Sequence, residues 1–314
     1  MSDAALHAAS AAALTVNVED GIAVVTIDLP GEAVKKFSAS VIAEFDELMT
    51  QIEGNAAVKG VVLISGKPDG FIAGADIAAF LDFKPPADAE AASAAGHRVV
   101  SRIERSRVPI VAAIHGACLG AGLEMALACS YRIATDHPKT VLGLPETQLG
   151  LIPGAGGTQR LPKVVGLQVA LDMILTAKNV RAKKALQTGL VDEMVHPAIL
   201  RSIAVQRAQA LAAGTLHASR GKAPGLARKA LEGNPVGRAI VFRQARSMTL
   251  RKSRGAYPAL LAALDAVQAG FRGTAEQGFA TEARLFGEMA ATAVSHELIF
   301  LFFATASLKK DSGI

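Results

Sequence analysis

Two patterns in the sequence predict an α/β core followed by a helical C-terminal region. Between about residues 18 and 145, short runs of β-branched residues alternate with stretches of helical periodicity, which is typical of strands covered by crossover helices. Beyond about residue 197, nearly all of the chain has helical periodicity. With 51% hydrophobic residues in 314, the chain can bury a large core, and a disordered chain is excluded.

The predicted elements follow in order along the chain. The first strand is GIAVVTID at 21–28, and an apolar stripe from Val41 to Ile52 then predicts a helix that Ser38 or Ser40 caps. Next come a strand at 59–65, a helix at 87–106, a strand at 109–116, a short helix at 122–129 and strands at 131–135 and 140–145. Later helices are predicted at 167–177 and 182–188, and breaks divide the C-terminal region at 221–225, 233–237, 257–258 and 270–273.

Composition at the chain start and at the cysteines excludes several classes of protein. Cys118 and Cys129 form no CxxC pair, so neither a disulfide framework nor a four-cysteine zinc site is predicted, and we expect no metal. Residues 1–15 carry no Lys or Arg and no leucine-rich run; they predict a short flexible tail and a cytoplasmic location. The apolar stretch at 108–131 contains His115 and Glu124, which are costly in lipid, so we expect no transmembrane segment.

The segment GACLGAGLEMALAC at 116–129 is the most informative for function. A buried strand ends in small residues, and a helix begins whose first N–H groups are unpaired donors at the positive end of the helix dipole. Gly120 and Ala121 let a ligand approach these donors closely, so the segment can hold a developing oxyanion. Glu124 follows within the first helical turn, where a glutamate also stabilises the helix itself.

A second segment, GFIAGADI at 70–77, follows a predicted buried strand. Its apolar residues supply a wall, and its small residues leave backbone amides accessible to a ligand. The wall is formed by Phe71 and Ile72, and the small residues are Ala73, Gly74 and Ala75. This loop can donate a second N–H to the same oxygen, as two-donor sites require. We expect Asp76 to fix the loop by accepting backbone N–H bonds.

A third segment, LPETQLGLIPGAGGTQRLP at 144–162, carries Glu146, which lies 22 residues after Glu124. Two carboxyl groups that reach one apolar pocket from different elements suit paired acid and base chemistry, with one ionised and one protonated. The run GAGG at 154–157 lacks the complete GxGxxG spacing of a nucleotide-binding loop. A packing turn is therefore predicted there.

These three segments resemble the crotonase, or enoyl-CoA hydratase/isomerase, superfamily. The motifs AGAD, LGxGxE and PExxLGxxPGAGGTQRL occur in the order expected of that superfamily, and the resemblance covers about residues 16–309. Within it, the chain is similar to the N-terminal hydratase part of the α subunit of multifunctional fatty-acid β-oxidation enzymes. The resemblance implies a crotonase-like spiral of ββα units at 16–196, followed at 197–314 by helices that pack on it and link toward a further domain.

The resemblance also implies roles for particular residues. The backbone N–H groups of Ala73 and Ala121 form the oxyanion hole for the acyl thioester oxygen. Glu124 activates the water that attacks the β carbon, and Glu146 delivers a proton to the α carbon. Family hydratases usually have glycine where Ala121 stands; alanine keeps the N–H but adds a methyl group. The implied substrate-binding residues are Phe71, Ile72, Gly74, Ala75, Asp76, Gly120 and Leu123.

The function implied is an enoyl-CoA hydratase of fatty-acid β-oxidation, which adds water to trans-2-enoyl-CoA to give 3-hydroxyacyl-CoA. The alternatives are a 3,2-enoyl-CoA isomerase, which can work with the second carboxylate alone, and an RNA-binding or scaffold member of the same fold. Coenzyme A is part of the substrate, no dinucleotide fingerprint is present, and we expect neither NAD nor another cofactor. An acyl-CoA thioester is the expected partner, together with a thiolase subunit or a second copy of the chain.

The segment from Arg220 to Arg254 is strongly basic, with ten Lys or Arg residues and one acid, Glu232. It either attracts the phosphates of coenzyme A or forms a solvated helical face. Phe242 and Tyr257 are the rings near it, which gives base stacking little support, so nucleic acid is not an expected partner.

Overall fold

The structure is a computed structural model that describes residues 13–28, 39–68, 70–83, 85–218, 221 and 225–310. Its strands are β1 (Leu14–Glu19), β2 (Ile22–Ile27), β3 (Gly60–Ser65), β4 (Gly70–Ile72), β5 (Ile110–Ile114), β6 (Ala117–Leu119), β7 (Tyr131–Thr135), β8 (Val141–Gly143), β9 (Val180–Arg181) and β10 (Glu193–Val195). The first seven α-helices are α1 (Ala39–Gly54), α2 (Pro86–Glu104), α3 (Ala121–Ala128), α4 (Gly157–Val165), α5 (Leu167–Thr176), α6 (Ala182–Thr188) and α7 (Leu200–Ala212). The remaining α-helices are α8 (Leu226–Glu232), α9 (Pro235–Ser253), α10 (Pro258–Arg272), α11 (Ala275–Ala290) and α12 (Ala293–Lys310), and short 3₁₀ helices lie at Ile77–Asp82, Glu146–Leu149 and Pro197–Ile199.

The chain folds into two compact units that are discontinuous in sequence. The first unit consists of Met1–Ala75, Arg98–Leu142 and Val180–Lys222. The second consists of Asp76–His97, Gly143–Asn179 and Ala223–Ile314. The division into a core at 16–196 and a helical region at 197–314 runs along the chain instead, and it stays a prediction.

Strands of the first unit form two sheets. The larger sheet has the order β1-β2-β3-β5-β7-β10, and β1 is its antiparallel edge while every other neighbouring pair is parallel. The smaller sheet has the order β4-β6-β8-β9. Parallel neighbours require crossover connections, and helices supply them. The predicted α/β class with a helical C-terminal region is confirmed.

Strand β1 begins inside the predicted N-terminal tail. The sequence LTVNVE alternates apolar and polar side chains, which is the period of a half-buried strand. Glu44 on α1 accepts hydrogen bonds from the Ala13 and Leu14 amides at 3.1 and 2.9 Å. Residues 14 and 15 of the predicted tail thus belong to the sheet, while residues 1–12 lie outside the described residues.

The core of the first unit lies between the larger sheet and α7. Leu200, Ala204 and Ala208 follow each other at four-residue spacing, so they form one stripe of α7, and all three are buried. They pack on the side chains of one sheet face, which are Ile22, Val24, Val62, Val111, Ala113 and Ile133. The small alanine side chains allow the helix to lie close to the strands.

A charged pair is buried in this unit. The side chains of Arg132 and Asp192 are 1% and 5% exposed, and their nearest nitrogen and oxygen atoms are 3.0 Å apart. The guanidinium also donates to the carbonyl oxygens of Leu190 and Cys129 at 2.9 and 3.1 Å. These bonds tie β7 to the chain that precedes β10.

We expect Asp192→Asn to lower the free energy of unfolding by about 3 kcal/mol, because it leaves a buried guanidinium without its counter-charge. The control is Asp172→Asn on α5, where the partner Lys178 lies 3.6 Å away in an exposed pair. That control is expected to change stability by less than about 1 kcal/mol. Urea unfolding of both variants measures the difference, and equal losses would contradict a structural role for the buried pair.

In the second unit, α10 packs against α4, α5, α9 and α11. The approach of α10 to α11 is close, because a Cβ at Gly278 would lie 3.2 Å from the Cα of Gly270. The predicted break at 270–273 begins too early: α10 continues through Gly270 and ends at Arg272, and Thr274 and Gln277 form a capping box that begins α11.

Among the described helices, none by itself has the length and apolar character needed to cross a membrane. The consecutive helices α11 and α12 together meet those criteria, but they are bent by 72° where they join.

Candidate active site

The loop after β4 and the start of α3 lie side by side in the first unit. β4 and β6 are parallel neighbours, with Ile72 opposite Cys118, so their carboxyl ends lie at the same edge. A Cβ at Gly122 would lie only 2.3 Å from the carbonyl oxygen of Ile72. Only glycine fits at this approach, which brings the segments that carry Ala73 and Ala121 together.

The amides of Ala73 and Ala121 remain available as donors. Ala121 is the first residue of α3, and the first backbone bond at this end runs from Glu124 N to Gly120 O at 3.0 Å. Among the described backbone hydrogen bonds that lie outside helices and strands, none is donated by the Ala73 or the Ala121 N–H. As the first residue of α3, Ala121 has no acceptor for its N–H within the helix, and a two-donor oxyanion site requires such groups.

The glycines at this edge have a conformational role. Gly74 has φ 125° and Gly120 has φ 53°, values that side chains disfavour. Gly120 supplies no capping side chain to α3, which leaves the helix N-terminus open. Ala75 is the last residue of the first unit's opening segment.

Glu124 lies in the first turn of α3 and is 2% exposed. The predicted apolar wall is also buried, since Phe71, Ile72 and Leu123 are all at most 1% exposed. That these three side chains line an acyl channel stays a prediction. Asp76 accepts the Ala78 N–H at 3.4 Å through Oδ1, which is the loop-fixing contact expected from the sequence.

Glu146 begins the 3₁₀ helix Glu146–Leu149 in the second unit. Its Oε2 atom is buried and has no hydrogen-bond partner among the described residues. Burial raises the pKa of Glu146 to about 8; a hydrogen bond from its own backbone opposes the rise, and the negative charge of Glu282 adds to it. The carboxyl group is therefore mainly protonated at neutral pH.

Contacts with two helices fix the 3₁₀ helix that carries Glu146. The Thr147 hydroxyl donates to the carbonyl oxygen of Ile174 on α5 at 2.9 Å, and the Ser295 hydroxyl on α12 donates to that of Leu149 at 3.0 Å. Gly150 follows with φ 69°, and a Cβ there would lie 2.9 Å from the Cα of Ser295. The backbone at Glu146 is thus held on both sides.

Sequence reasoning missed Glu282 on α11, which is 0% exposed. Its carboxylate accepts the Gly156 and Thr158 N–H groups at 2.6 and 3.0 Å, and it also accepts the Thr158 hydroxyl. His97 Nε2 lies 2.7 Å from Oε1. A side chain therefore binds the Gly156 amide of the GAGG turn, as in the packing turn predicted there.

One signal in the sequence could have identified Glu282. It lies four residues after the buried Gly278 and four before the buried Phe286, so an acid stands in the middle of the apolar stripe of α11. A buried acid without partners is costly, which predicts donors nearby. Those donors are more than 120 residues away in sequence, and no local pattern identifies them.

The basic segment is partly engaged in contacts within the second unit. Arg220 and Lys222 lie outside the described residues. Arg228 pairs with Glu232, and Arg246 pairs with Asp265. Attraction of coenzyme A phosphates by the exposed remainder stays a prediction.

Within the described ranges, no group of three or more His, Cys, Asp or Glu side chains could hold a metal ion. The structure places Ala73, Ala121 and Glu124 in the first unit and Glu146 in the second. That the two glutamates act on one substrate stays a prediction.

The sequence pattern of the enoyl-CoA hydratase/isomerase family matches residues 17–223. The fatty acid oxidation complex subunit alpha of Shewanella amazonensis is 46% identical over 295 residues, which are 94% of this chain and 41% of that protein. The chain therefore spans less than half the length of this curated relative. An enoyl-CoA hydratase structure from Bacillus anthracis is 27% identical with a TM-score of 0.59, covering 75% of this chain and 90% of that one.

A carnitinyl-CoA dehydratase structure from Mycobacterium thermoresistibile has a TM-score of 0.71. The similarity covers 93% of this chain and 89% of that one at 23% identity, so it bears on the fold alone. These neighbours agree with the crotonase-like fold implied by the three motifs.

We expect Gly122→Ala to lower the free energy of unfolding by about 1–3 kcal/mol, because the added methyl group must displace the backbone at Ile72. Gly54→Ala at the end of α1 is the control, since a Cβ there meets nothing within 4 Å. Thermal unfolding of both variants distinguishes them. An equally stable Gly122→Ala variant would contradict the close approach of β4 and α3.

The raised pKa of Glu146 predicts a pH-dependent stability. Between pH 4.5 and about 8 the unfolded chain ionises at this residue while the folded chain keeps the proton. The free energy of unfolding then falls by about 1.4 kcal/mol for each pH unit through this group. We expect Glu146→Gln to remove that fall, so its stability relative to the unchanged chain rises across the window. Urea unfolding at several pH values measures it, and parallel profiles would contradict a buried neutral carboxyl.

Proposed function

Because the chain belongs to the enoyl-CoA hydratase/isomerase family, we propose that it hydrates trans-2-enoyl-CoA to 3-hydroxyacyl-CoA. The relative named as a fatty acid oxidation complex subunit alpha supports fatty-acid β-oxidation as the setting of this reaction. The proposed reaction needs no cofactor besides the coenzyme A that the substrate carries.

The observation that carries the proposal is the buried Oε2 atom of Glu146, which has no hydrogen-bond partner among the described residues. Hydration adds a hydroxyl group to the β carbon and a proton to the α carbon, so the enzyme needs a proton donor beside the α carbon. A carboxyl group whose pKa lies at about 8 keeps its proton at neutral pH. Its buried Oε2 has no other hydrogen-bond partner among the described residues, so the group is available to the substrate.

In the proposed mechanism, Glu124 accepts a proton from the attacking water while the water oxygen bonds to the β carbon. Negative charge moves to the thioester oxygen, where the Ala73 and Ala121 N–H groups stabilise it. Glu146 then protonates the α carbon and is left as a carboxylate. Transfer of the proton held by Glu124 through solvent restores the starting state.

In this mechanism both amides are preorganised before the substrate binds, because they lie at the end of β4, beside β6, and at the start of α3. Loss of one such donor typically slows turnover by roughly a hundred- to a thousandfold. The methyl group of Ala121 leaves its N–H intact, since φ at this residue is not among the positive values.

A 3,2-enoyl-CoA isomerase is the second candidate. A double-bond shift takes a proton from one carbon and returns it to another, which a single buried carboxyl such as Glu146 can do. Glu124 favours hydration, because isomerisation gives this buried acid no proton to move. A scaffold or an RNA-binding protein would have no use for a buried acid at Glu124 and for a buried carboxyl oxygen without a partner at Glu146.

The two candidates make different predictions for the two glutamates. We expect Glu124→Gln to reduce hydration of crotonyl-CoA by roughly 100-fold or more while retaining any shift of a 3-enoyl thioester, because only hydration needs activated water. We expect Glu146→Gln to abolish both reactions.

Steady-state rates of the purified chain with both thioesters measure these effects. The matched control is Glu47→Gln on the exposed face of α1, which is expected to keep the unchanged rate. Full hydration by Glu146→Gln would contradict the proposed proton donor.

A further inference from the structure

Four helices of the second unit hold the segment from Glu146 to Thr158. α5 binds it at Thr147 and α12 binds it at Leu149. α2 binds it through the Ser93 hydroxyl, which donates to Gly154 O at 2.6 Å. α11 binds it at its end through Glu282. Of these contacts from the four helices, the one made by Glu282 involves an ionisable side chain.

The contacts of Glu282 are unusually complete for a carboxylate. Both oxygens accept a backbone N–H, one from Gly156 and one from Thr158. The imidazole of His97 lies against Oε1 and packs on the ring of Phe279, with 5.0 Å between ring centroids. A charged acceptor strengthens such bonds, so loss of the charge weakens every one of them.

The same packing of Phe279 requires glycine at position 156. Its φ is 103°, and a Cβ there would lie 3.0 Å from the ring of Phe279. The guanidinium of Arg160 lies over that ring at 4.8 Å. The turn at Gly156 therefore has little room to adopt a second conformation.

We propose that Glu282 is a positioning residue that acts through Glu146: it fixes the segment from Glu146 to Thr158 and directs its negative charge at the Glu146 carboxyl. This inference rests on the proposed function, since it assigns Glu146 the role of proton donor. It also gives α11, a helix of the C-terminal region, a part in the chemistry.

Other ionisable groups near Glu146 are few. The 3₁₀ helix that carries it packs against α5, α10 and α12. On these helices Asp172, Asp265, Arg272 and Glu297 are exposed, and His296 is half-buried. Among the described residues, His97 on α2 pairs with Glu282, and Arg160 on α4 lies over the ring of Phe279, three residues before Glu282. The charge that acts on Glu146 is that of Glu282, and it adds to the burial of Glu146 itself in raising the Glu146 pKa.

The test is Glu282→Gln, which keeps the side-chain shape but removes the charge and places an amide NH₂ against N–H donors. We expect kcat for crotonyl-CoA hydration to fall roughly ten- to a hundredfold, because the proton donor is misplaced. KM should stay nearly constant. We also expect the alkaline limb of the pH–rate profile to move down by roughly one pH unit, because Glu146 loses its proton more readily without a like charge nearby.

Glu288→Gln on the exposed face of the same helix is the matched control, and it should leave rate and profile unchanged. A lower rate with an unmoved limb would overturn the proposal, since a merely structural residue gives that result. An unchanged rate and limb would also overturn it.

A second variant keeps the proposal testable if Glu282→Gln does not fold. Thr158→Val removes the hydroxyl donor but keeps the Glu282 charge, so we expect a lower kcat and an unmoved limb. Thr158→Ser restores the hydroxyl and should recover most of the rate. Equal rates for the valine and serine variants would count against positioning.

The pH dependence of stability, which is measured without substrate, tests the role of Glu282 independently of the proposed function. In Glu282→Gln, the pH at which the stability loss due to Glu146 levels off should drop below its position near pH 8. If the unchanged chain fails to hydrate any enoyl thioester, the proposed function fails, and this shift still decides whether Glu282 acts on Glu146. An unmoved stability profile would overturn the inference.

Discussion

The Oε2 atom of the Glu146 carboxyl group is buried and has no hydrogen-bond partner among the described residues. An ionised carboxylate in that place would lose its hydration and gain no hydrogen bond in return, so the group keeps its proton. The free-energy cost of burying this oxygen without a partner persists only if the surrounding structure is rigid. Hydrogen bonds from α5 and α12 to the adjoining 3₁₀ helix provide that support.

Glu282 in the second unit differs from Glu146, because both of its carboxyl oxygens accept hydrogen bonds. There a buried acid accepts two backbone N–H groups and a hydroxyl, with an imidazole beside it, so its desolvation is compensated by strong hydrogen bonds. The two carboxyl groups of this unit therefore have contrasting surroundings: Glu282 is fully hydrogen-bonded, and Glu146 has an oxygen without a hydrogen-bond partner among the described residues. Of the two, Glu146 is the one whose pKa is raised, and a perturbed carboxyl group of this kind is typical of sites that move protons.

Local patterns in the sequence predicted local structure well. The strand at Tyr131–Thr135 and the helix at Ala182–Thr188 have the bounds that their β-branched and helical periodicities indicated. Strand β1 was assigned in part to a tail, because its partners lie on β2 and its amides bind Glu44, 30 residues away. Accessible amides in the segments that carry Ala73 and Ala121 were predicted from small residues at strand ends, and this stays a prediction; the clash that makes Gly122 necessary could not be predicted, because it depends on the position of Ile72. The position of Glu282 in the apolar stripe of α11 marked it as unusual, but its partners could not be predicted, since their contacts join segments separated by 124 to 185 residues.

Whether Glu146 is a neutral acid at neutral pH can be measured directly. Infrared difference spectra between the unchanged chain and Glu146→Gln, recorded across a pH titration, isolate the carbonyl stretch of this single group. We predict a protonated carboxyl band that persists at neutral pH and disappears with a midpoint near 8. A band already lost in mildly acidic solution, with a midpoint near the ordinary value of 4.5, would contradict it.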